Sequence, residues 1–280
     1  MGVKQILLMM VAVVLVGCGN KTPETSQSVE AEALVASKPT PEPDPISPAE
    51  EKVITIADPI VEKVVRKALD KPEGELTQRD LEGIVSLRSV QFTDNSLKEV
   101  AKFKQLTALN LTWSKFSAEG LKELTKLQKL TVLDLSATQT TDEGLKVISK
   151  INNLTVLSLH ETKTTNEGLK SVSTLHNLKY LILSETSVSD KGLKELAKLE
   201  NLESLSLADT KVTHEGLKEV AKLKKLKKLL LNNTQTTDEG LKELANLKKL
   251  ENLLLDRTKV TEAGIAGLQK ALPNCKIIGP

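Results

Sequence analysis

The sequence predicts an α/β solenoid, a curved stack of short repeated units, and three observations lead to this prediction. Glycine recurs every 24 residues from Gly120 to Gly264, each time within a variant of the string Thr-Asp-Glu-Gly-Leu-Lys. Before that string, leucines alternate with other residues, which is the period of a strand with one buried face. After it, apolar residues recur every three positions, which is typical of a helix with one buried stripe. A strict period over seven copies indicates stacked repeats.

Each unit begins with a strand and continues into a helix. In one unit the strand carries Leu130, Leu133 and Leu135. Thr138 follows, and we expect its buried hydroxyl to bond backbone groups at the turn. Thr141 is predicted to cap the helix, whose first turn is acidic as the positive end of the helix dipole favours. Stacking at about 4.8 Å per strand then gives a parallel sheet on the concave side and helices on the convex side.

This pattern resembles the leucine-rich repeat, whose unit has about 20–29 residues. The resemblance covers residues 82–278 and is closest in type to the repeats of the ribonuclease inhibitor and of F-box adaptors. It implies a leucine-rich repeat solenoid in the form of a curved right-handed α/β horseshoe. No F-box-sized module precedes the repeats, so the resemblance carries no ubiquitin-related activity to this chain.

Both ends of a solenoid expose an edge of the core, so we expect a cap at each end. Asp58 followed by Pro59 predicts the start of a helix, and Thr77 with Asp80 predicts a capping box for a second, shorter helix. Residues 58–81 resemble the amino-terminal cap of internalin-like bacterial proteins. In the carboxy-terminal cap we expect Leu272 and Pro273 to end the last helix, Lys276 to Ile278 to add a partial strand, and Cys275 to be a structural, unreactive thiol.

The amino terminus predicts secretion and lipid attachment. Lys4 precedes an apolar run from Ile6 to Val16. That run is shorter than the roughly 20 residues that a membrane-spanning helix needs, so it is predicted to be a signal peptide. The segment from Leu15 to Cys18 resembles the lipobox of bacterial lipoproteins, which implies cleavage before Cys18 and acylation of that residue, with palmitate among the acyl chains. Gly19 stands where aspartate would retain the protein at the inner membrane, so the resemblance favours the outer membrane.

The residues after Cys18 predict a disordered tether, because 19–52 hold six of the ten prolines and few apolar residues. The predicted organisation is a signal peptide at 1–17, the acylated cysteine and Pro-rich tether at 18–52, the helical N-terminal cap at 53–84, leucine-rich repeats at 85–271 and the C-terminal cap at 272–280.

Composition excludes several functions. A net charge of +2 and five aromatic residues among 280 argue against nucleic acid as a partner. Two cysteines cannot build a disulfide framework or a zinc cage. No nucleophile elbow, metalloprotease helix or phosphate-binding glycine loop is present. We therefore predict a protein that is not an enzyme and that needs no cofactor.

The candidate binding site lies on the concave face, at the third, fifth, seventh and eighth positions counted from the first leucine of each unit. The only tryptophan and the only tyrosine fall within this set. We predict an apolar strip bordered by an acidic row, an arrangement that suits a protein or peptide partner. Strand propensity alone is the alternative explanation of the apolar residues. The candidate residues are Trp113, Val132, Val156, His160, Glu161, Tyr180, Ile182, Glu185 and Asp209.

Other interpretations stay open. The acidic row beside His160 could hold a divalent cation, but carboxylates about 4.8 Å apart on a rigid sheet converge poorly, so we predict no metal. Seven lysines recur at one helical position, from Lys98 to Lys242. They could bind anionic lipid or wall polymers, or they could form a solvated face. Glutamates beside them favour the solvated face. A purely structural surface spacer, adhesin-like and without a soluble ligand, is the alternative function. We expect a monomer.

Overall fold

The computed structural model describes residues 52–279. The predicted signal peptide, Cys18 and the predicted tether up to residue 51 lie outside the described residues, as does Pro280. Strands and helices alternate along the described chain. No helix within 52–279 combines the length and the apolar character that crossing a membrane requires.

A parallel sheet runs through the body of the described chain, and its nine strands lie side by side in sequence order. Each strand pairs with the next at an offset of 24 residues, as for Ala108 with Val132. The first pair differs, because Ser86 pairs with Ala108 and its unit is shorter there. The strands are β3 (Ser86–Arg88), β4 (Ala108–Asn110), β5 (Val132–Asp134), β6 (Val156–Ser158), β7 (Tyr180–Ile182), β8 (Ser204–Ser206), β9 (Lys228–Leu230), β10 (Asn252–Leu254) and β11 (Lys276–Ile278).

A helix follows each strand from β3 to β10, so the predicted α/β solenoid is confirmed. Neighbouring helices pack against one another along the stack. The helices are α3 (Asp94–Val100), α4 (Ala118–Leu124), α5 (Asp142–Ile148), α6 (Asn166–Val172), α7 (Asp190–Leu196), α8 (His214–Val220), α9 (Asp238–Leu244) and α10 (Glu262–Ala271).

The core lies between the sheet and the helices and consists mainly of leucine. In one unit, Leu133 in β5, Leu135 directly after β5, and Leu145 and Ile148 of the helix are all fully buried. Because alternate strand residues and every third helical residue point inward, the two periods in the sequence meet in a single core. The predicted inward faces of strand and helix are therefore confirmed, although the opposite face of β5 is buried as well.

The threonine that follows each strand bonds the backbone as predicted. The Thr138 hydroxyl donates to the carbonyl oxygen of Leu135 at 2.6 Å. A buried carbonyl without a partner would be destabilising, and this hydroxyl supplies one in each turn. The same bond, at 2.6–2.7 Å, recurs at Thr162, Thr186, Thr210, Thr234 and Thr258.

The helix caps depend on the preceding repeat, which the sequence analysis did not foresee. The Asp142 carboxylate accepts hydrogen bonds from the backbone N–H and the hydroxyl of Thr165, at 2.9 and 2.6 Å. The Thr165 hydroxyl in turn accepts from the backbone N–H of Glu167. Thr141 occupies the predicted N-cap position, but its hydroxyl caps nothing, and the prediction was wrong on this point. The reason is that Ala118 stands where an aspartate would orient that hydroxyl.

The same rule holds along the stack. Wherever the preceding helix begins with aspartate, the next N-cap side chain bonds its helix; where it begins with alanine, asparagine or histidine, the N-cap side chain does not. The capped cases are Ser117, Thr165, Thr213 and Thr261, and the uncapped cases are Thr141, Ser189 and Thr237.

The two predicted helices ahead of the repeats are present. Helix α1 (Pro59–Leu69) begins after Asp58, whose carboxylate accepts from the backbone N–H groups of Ile60 and Val61. Helix α2 (Gln78–Glu82) has the predicted capping box between Thr77 and Asp80. Strands β1 (Val53–Ile54) and β2 (Leu76–Thr77) pair in antiparallel orientation beside them. The second Asp58 oxygen accepts from the Ser96 hydroxyl at 2.8 Å, which joins this segment to α3.

At the other end of the sheet, α10 ends before Leu272 and β11 adds the predicted strand. Cys275 is buried between them. Burial raises the pKa of its thiol to about 11. Since the thiolate is the reactive form, this agrees with the expectation of an unreactive, structural cysteine.

Candidate functional site

The most exposed candidate residues occupy one position of the repeat, three residues after the end of each strand. Their backbone is left-handed, with φ between 53° and 63°. Except at Arg257, their N–H groups bond the next repeat, as when the Glu161 N–H donates to the carbonyl of Ser184 at 3.0 Å. This bond fixes where each side chain leaves the sheet edge. We call these residues the rim row: Trp113, Ala137, Glu161, Glu185, Asp209, Asn233 and Arg257.

The left-handed backbone of the rim row is energetically unfavourable for most of its residues. For an L-residue other than glycine, asparagine or aspartate, this conformation costs about 1–2 kcal/mol. Trp113, Glu161 and Glu185 nevertheless occupy it. Strained conformations persist where the surrounding structure imposes them, and they concentrate at functional sites. The conformational preferences of these residue types therefore do not explain why they occur in the rim row.

Trp113 is the most exposed aromatic side chain among the described residues, with 61% of its surface accessible. It lies near the amino-terminal end of the sheet, because it follows the end of β4 by three residues. Large aromatic side chains are enriched at the centres of protein interfaces, where their burial contributes strongly to binding. Trp113 can therefore act as an apolar anchor for a partner.

The acidic residues of the rim row lie on successive repeats and are exposed, as Glu161, Glu185 and Asp209 show. His160 lies beside them: its Nε2 atom is 3.9 Å from Glu185 Oε1, and its Nδ1 atom is 3.3 Å from the carbonyl oxygen of Ser184. Asp209 accepts a hydrogen bond from the Asn233 amide at 2.5 Å. The structure thus brings His160 and Glu185 together and presents a negatively charged edge.

Of the predicted apolar strip, which comprises Val132, Val156, Tyr180 and Ile182, only Tyr180 reaches the surface. Val132 is fully buried, and Val156 and Ile182 are 3% and 9% exposed. The prediction of exposure was wrong because it treated each strand alone. Strands stand only about 4.8 Å apart, so the side chains of one row cover their neighbours. By register, Val132 lies between Ala108 and Val156, and the three close over one another.

At the third position of each unit, the residues of the carboxy-terminal repeats are more exposed than Ala108, Val132 and Val156 of the amino-terminal repeats. Tyr180, Ser204, Lys228 and Asn252 are paired in register on β7 to β10, and all four are partly exposed. We call them the polar row. Tyr180 was among the candidates, but the other three were missed. The available signal was the change along this column from alanine and valine to polar residues.

The lysines on the helices are exposed and mostly neutralised. Lys122, Lys146, Lys170 and Lys218 each lie within 3.6 Å of a glutamate three residues earlier on the same helix. Such exposed pairs contribute little to stability, and they reduce the positive potential of this face. The pairing favours the solvated-face interpretation of these lysines.

Metal-ligating side chains do not converge within residues 52–279, where no group of three or more His, Cys, Asp or Glu residues could hold an ion. Glu161, Glu185 and Asp209 lie on different strands of the stack, and their separation follows the strand spacing.

Comparison with known proteins supports the repeat assignment. A family model described as a leucine-rich repeat region matches residues 135–270, and a second, described as a leucine-rich repeat, matches residues 105–124. A search of curated proteins gives no match to this chain.

Three bacterial proteins are among the solved structures that match this chain. Internalin C2 from Listeria monocytogenes is 23% identical, and the match covers 84% of this chain and 100% of that one with a TM-score of 0.62. A leucine-rich repeat protein from Leptospira interrogans is 29% identical over 64% of this chain and 50% of that one, with a TM-score of 0.48. An internalin, InlF, from Listeria monocytogenes is 16% identical over 79% and 88%, with a TM-score of 0.48. The family matches, together with the parallel sheet and its helices, support a leucine-rich repeat solenoid as the fold of this chain.

Proposed function

We propose that this protein is held at the cell envelope and binds a protein or peptide through the rim row and the adjacent sheet face. The leucine-rich repeat fold is typically used for protein binding, and proteins of this fold are generally non-enzymatic scaffolds. The observation that carries the proposal is the rim row, in which Trp113 and the glutamates occupy a left-handed backbone and remain exposed. Packing does not require these side chains, so a partner is the best reason for their presence.

The proposed interface centres on Trp113, Glu161, Glu185, Asp209 and His160. Tyr180 lies on the same face and is partly exposed. Val132, Val156 and Ile182 are buried on the sheet face and are not part of the proposed contact. An apolar anchor beside an acidic edge suits a partner that offers an apolar residue and basic side chains.

Attachment to the envelope is proposed from the lipobox at residues 15–18, with Cys18 as the acylated residue. Several acyl chains at one residue anchor a protein far more firmly than one chain. The location that this supports is the outer membrane. Cys18→Ser is expected to move the protein from the membrane fraction to the soluble fraction and to abolish incorporation of labelled palmitate. Retention of the variant in the membrane fraction would contradict lipid anchoring.

The binding surface is tested by photo-crosslinking in intact cells. A photoreactive amino acid is placed either at Glu185, in the rim row, or at Lys194, which is exposed on the helix of the same repeat. We expect the probe at position 185 to give a discrete crosslinked product and the probe at position 194 to give none. Equal products from both positions would contradict a directional binding face. No product from either would favour the structural spacer.

A further inference from the structure

The polar row combines partial burial with unused hydrogen-bonding capacity. Tyr180, Ser204, Lys228 and Asn252 lie on four consecutive strands in direct register. Within the described residues, none of their side chains takes part in a hydrogen bond or an ion pair. A phenol, a hydroxyl, an ammonium and an amide thus follow one another on strands about 4.8 Å apart, and their donors are unused.

The neighbouring positions of the sheet face behave differently. The Ser136 and Ser158 hydroxyls bond each other at 2.7 Å, and those of Ser184 and Ser206 at 2.6 Å. The Asn110 amide donates to the Asp134 carboxylate at 2.7 Å. Polar side chains on this sheet therefore usually bond one another between repeats. The polar row is an exception that the repeat geometry does not require.

Lys228 gives the polar row its charge. It is partly buried, and no carboxylate among the described residues lies within ion-pair distance of its ammonium. Its neighbour Lys227 differs, because Glu203 pairs with it at 2.7 Å. Burial lowers the pKa of Lys228, since loss of water disfavours the charged form. An arriving anion would supply the missing counter-charge.

We infer that the middle of the polar row is a subsite for a single carboxylate of the peptide partner, with Lys228 as the counter-ion and Ser204 and Asn252, on the two adjacent strands, as hydrogen-bond donors. This inference rests on the proposed function and specifies the chemistry of its partner. A carboxylate is favoured over a polyanion because Glu185 and Asp209 follow Tyr180 and Ser204 in the same repeats and are exposed. Their charge would repel an extended anionic polymer. A peptide with one carboxylate among basic residues suits both rows, because the carboxylate can pair with Lys228 and the basic residues with the acidic rim row.

The test uses two capped pentapeptides, one with a central glutamate between two terminal lysines and one with glutamine in its place. Their affinities for the full-length protein are measured by NMR with labelled lysine side chains. We expect the glutamate peptide to bind at least tenfold more tightly and to shift the Lys228 signal. Lys228→Met should abolish this preference, while Lys242→Met, a substitution on the exposed helical face, should preserve it.

Two results would overturn the subsite: equal binding of the two peptides, or a glutamate preference that survives Lys228→Met. Because a variant that misfolds would also lose the preference, thermal unfolding is recorded for both variants, and Ser204→Ala provides a second substitution that removes only one donor. If inorganic polyphosphate binds equally strongly and this binding depends on Lys228, the ligand of the subsite is a polyanion and the inference of a carboxylate is wrong. Crosslinking at Glu185 is an independent measurement, so failure of the subsite and failure of the binding face are distinguishable.

Discussion

Gly192→Ala is expected to lower the free energy of unfolding by about 2–3 kcal/mol, an effect typical of overpacking in a tightly packed site. A Cβ atom at Gly192 would lie 2.6 Å from Asn166 Oδ1, 2.8 Å from Leu169 Cδ1 and 3.3 Å from the Asn166 Cα atom. The Asn166 side chain cannot move away easily, because it bonds the backbone N–H and the hydroxyl of Ser189 at 2.9 and 3.0 Å. The added methyl group must therefore break an inter-repeat contact.

Gly267→Ala is the matched control, since Gly267 also lies within a helix and a Cβ atom there would have nothing within 4 Å. This substitution is expected to stabilise the protein by about 0.5–1 kcal/mol, because alanine loses less backbone entropy in a helix. Thermal unfolding followed by circular dichroism measures both variants. At this size about 1 kcal/mol moves the midpoint by roughly 2–4 °C. Equal midpoints for the two variants would show that the close approach at Gly192 has no consequence.

The glycine period shows how far sequence reasoning reaches. The 24-residue spacing predicted the repeat, but not why glycine is needed within it. Glycine is needed because the first residue of the preceding helix approaches it closely. For Gly192 this residue is Asn166, 26 positions earlier. Contacts between successive repeats depend on the offset of one unit against the next, and a pattern within one unit does not contain that offset. The threonine after each strand was predictable because its bond lies three residues away.

Side-chain exposure was the weakest part of the prediction for a related reason. Alternation along β5 and β6 correctly assigned Leu133 and Leu157 to the core. The same alternation assigned Val132 and Val156 to solvent, although rows of neighbouring strands bury them. Which part of a row reaches solvent depends on the side chains one repeat before and after. The polar row could be recognised only when Lys228 was seen without a partner beside Ser204 and Asn252.

Trp113→Asn is expected to raise stability and to reduce partner binding at the same time. Asparagine adopts the left-handed backbone readily, so about 1 kcal/mol of unfavourable conformational energy is relieved at φ 63°. The variant also loses the indole that we propose as the anchor. Removal of a central aromatic residue weakens interfaces by about tenfold or more, which corresponds to about 1.4 kcal/mol. The yield of the crosslinked product at Glu185 should fall accordingly.

Ala137→Asn separates the two effects, because Ala137 has the same left-handed backbone, with φ 53°, and offers no anchor. This variant should gain similar stability and keep the full crosslinking yield. Trp113 is the only tryptophan in the chain, so its fluorescence also reports directly on burial by the partner. Unchanged crosslinking in Trp113→Asn would remove the tryptophan from the interface. A loss of yield in both variants would show instead that a change common to both, either the new asparagine side chain or the relieved backbone, and not the loss of the indole, reduces binding.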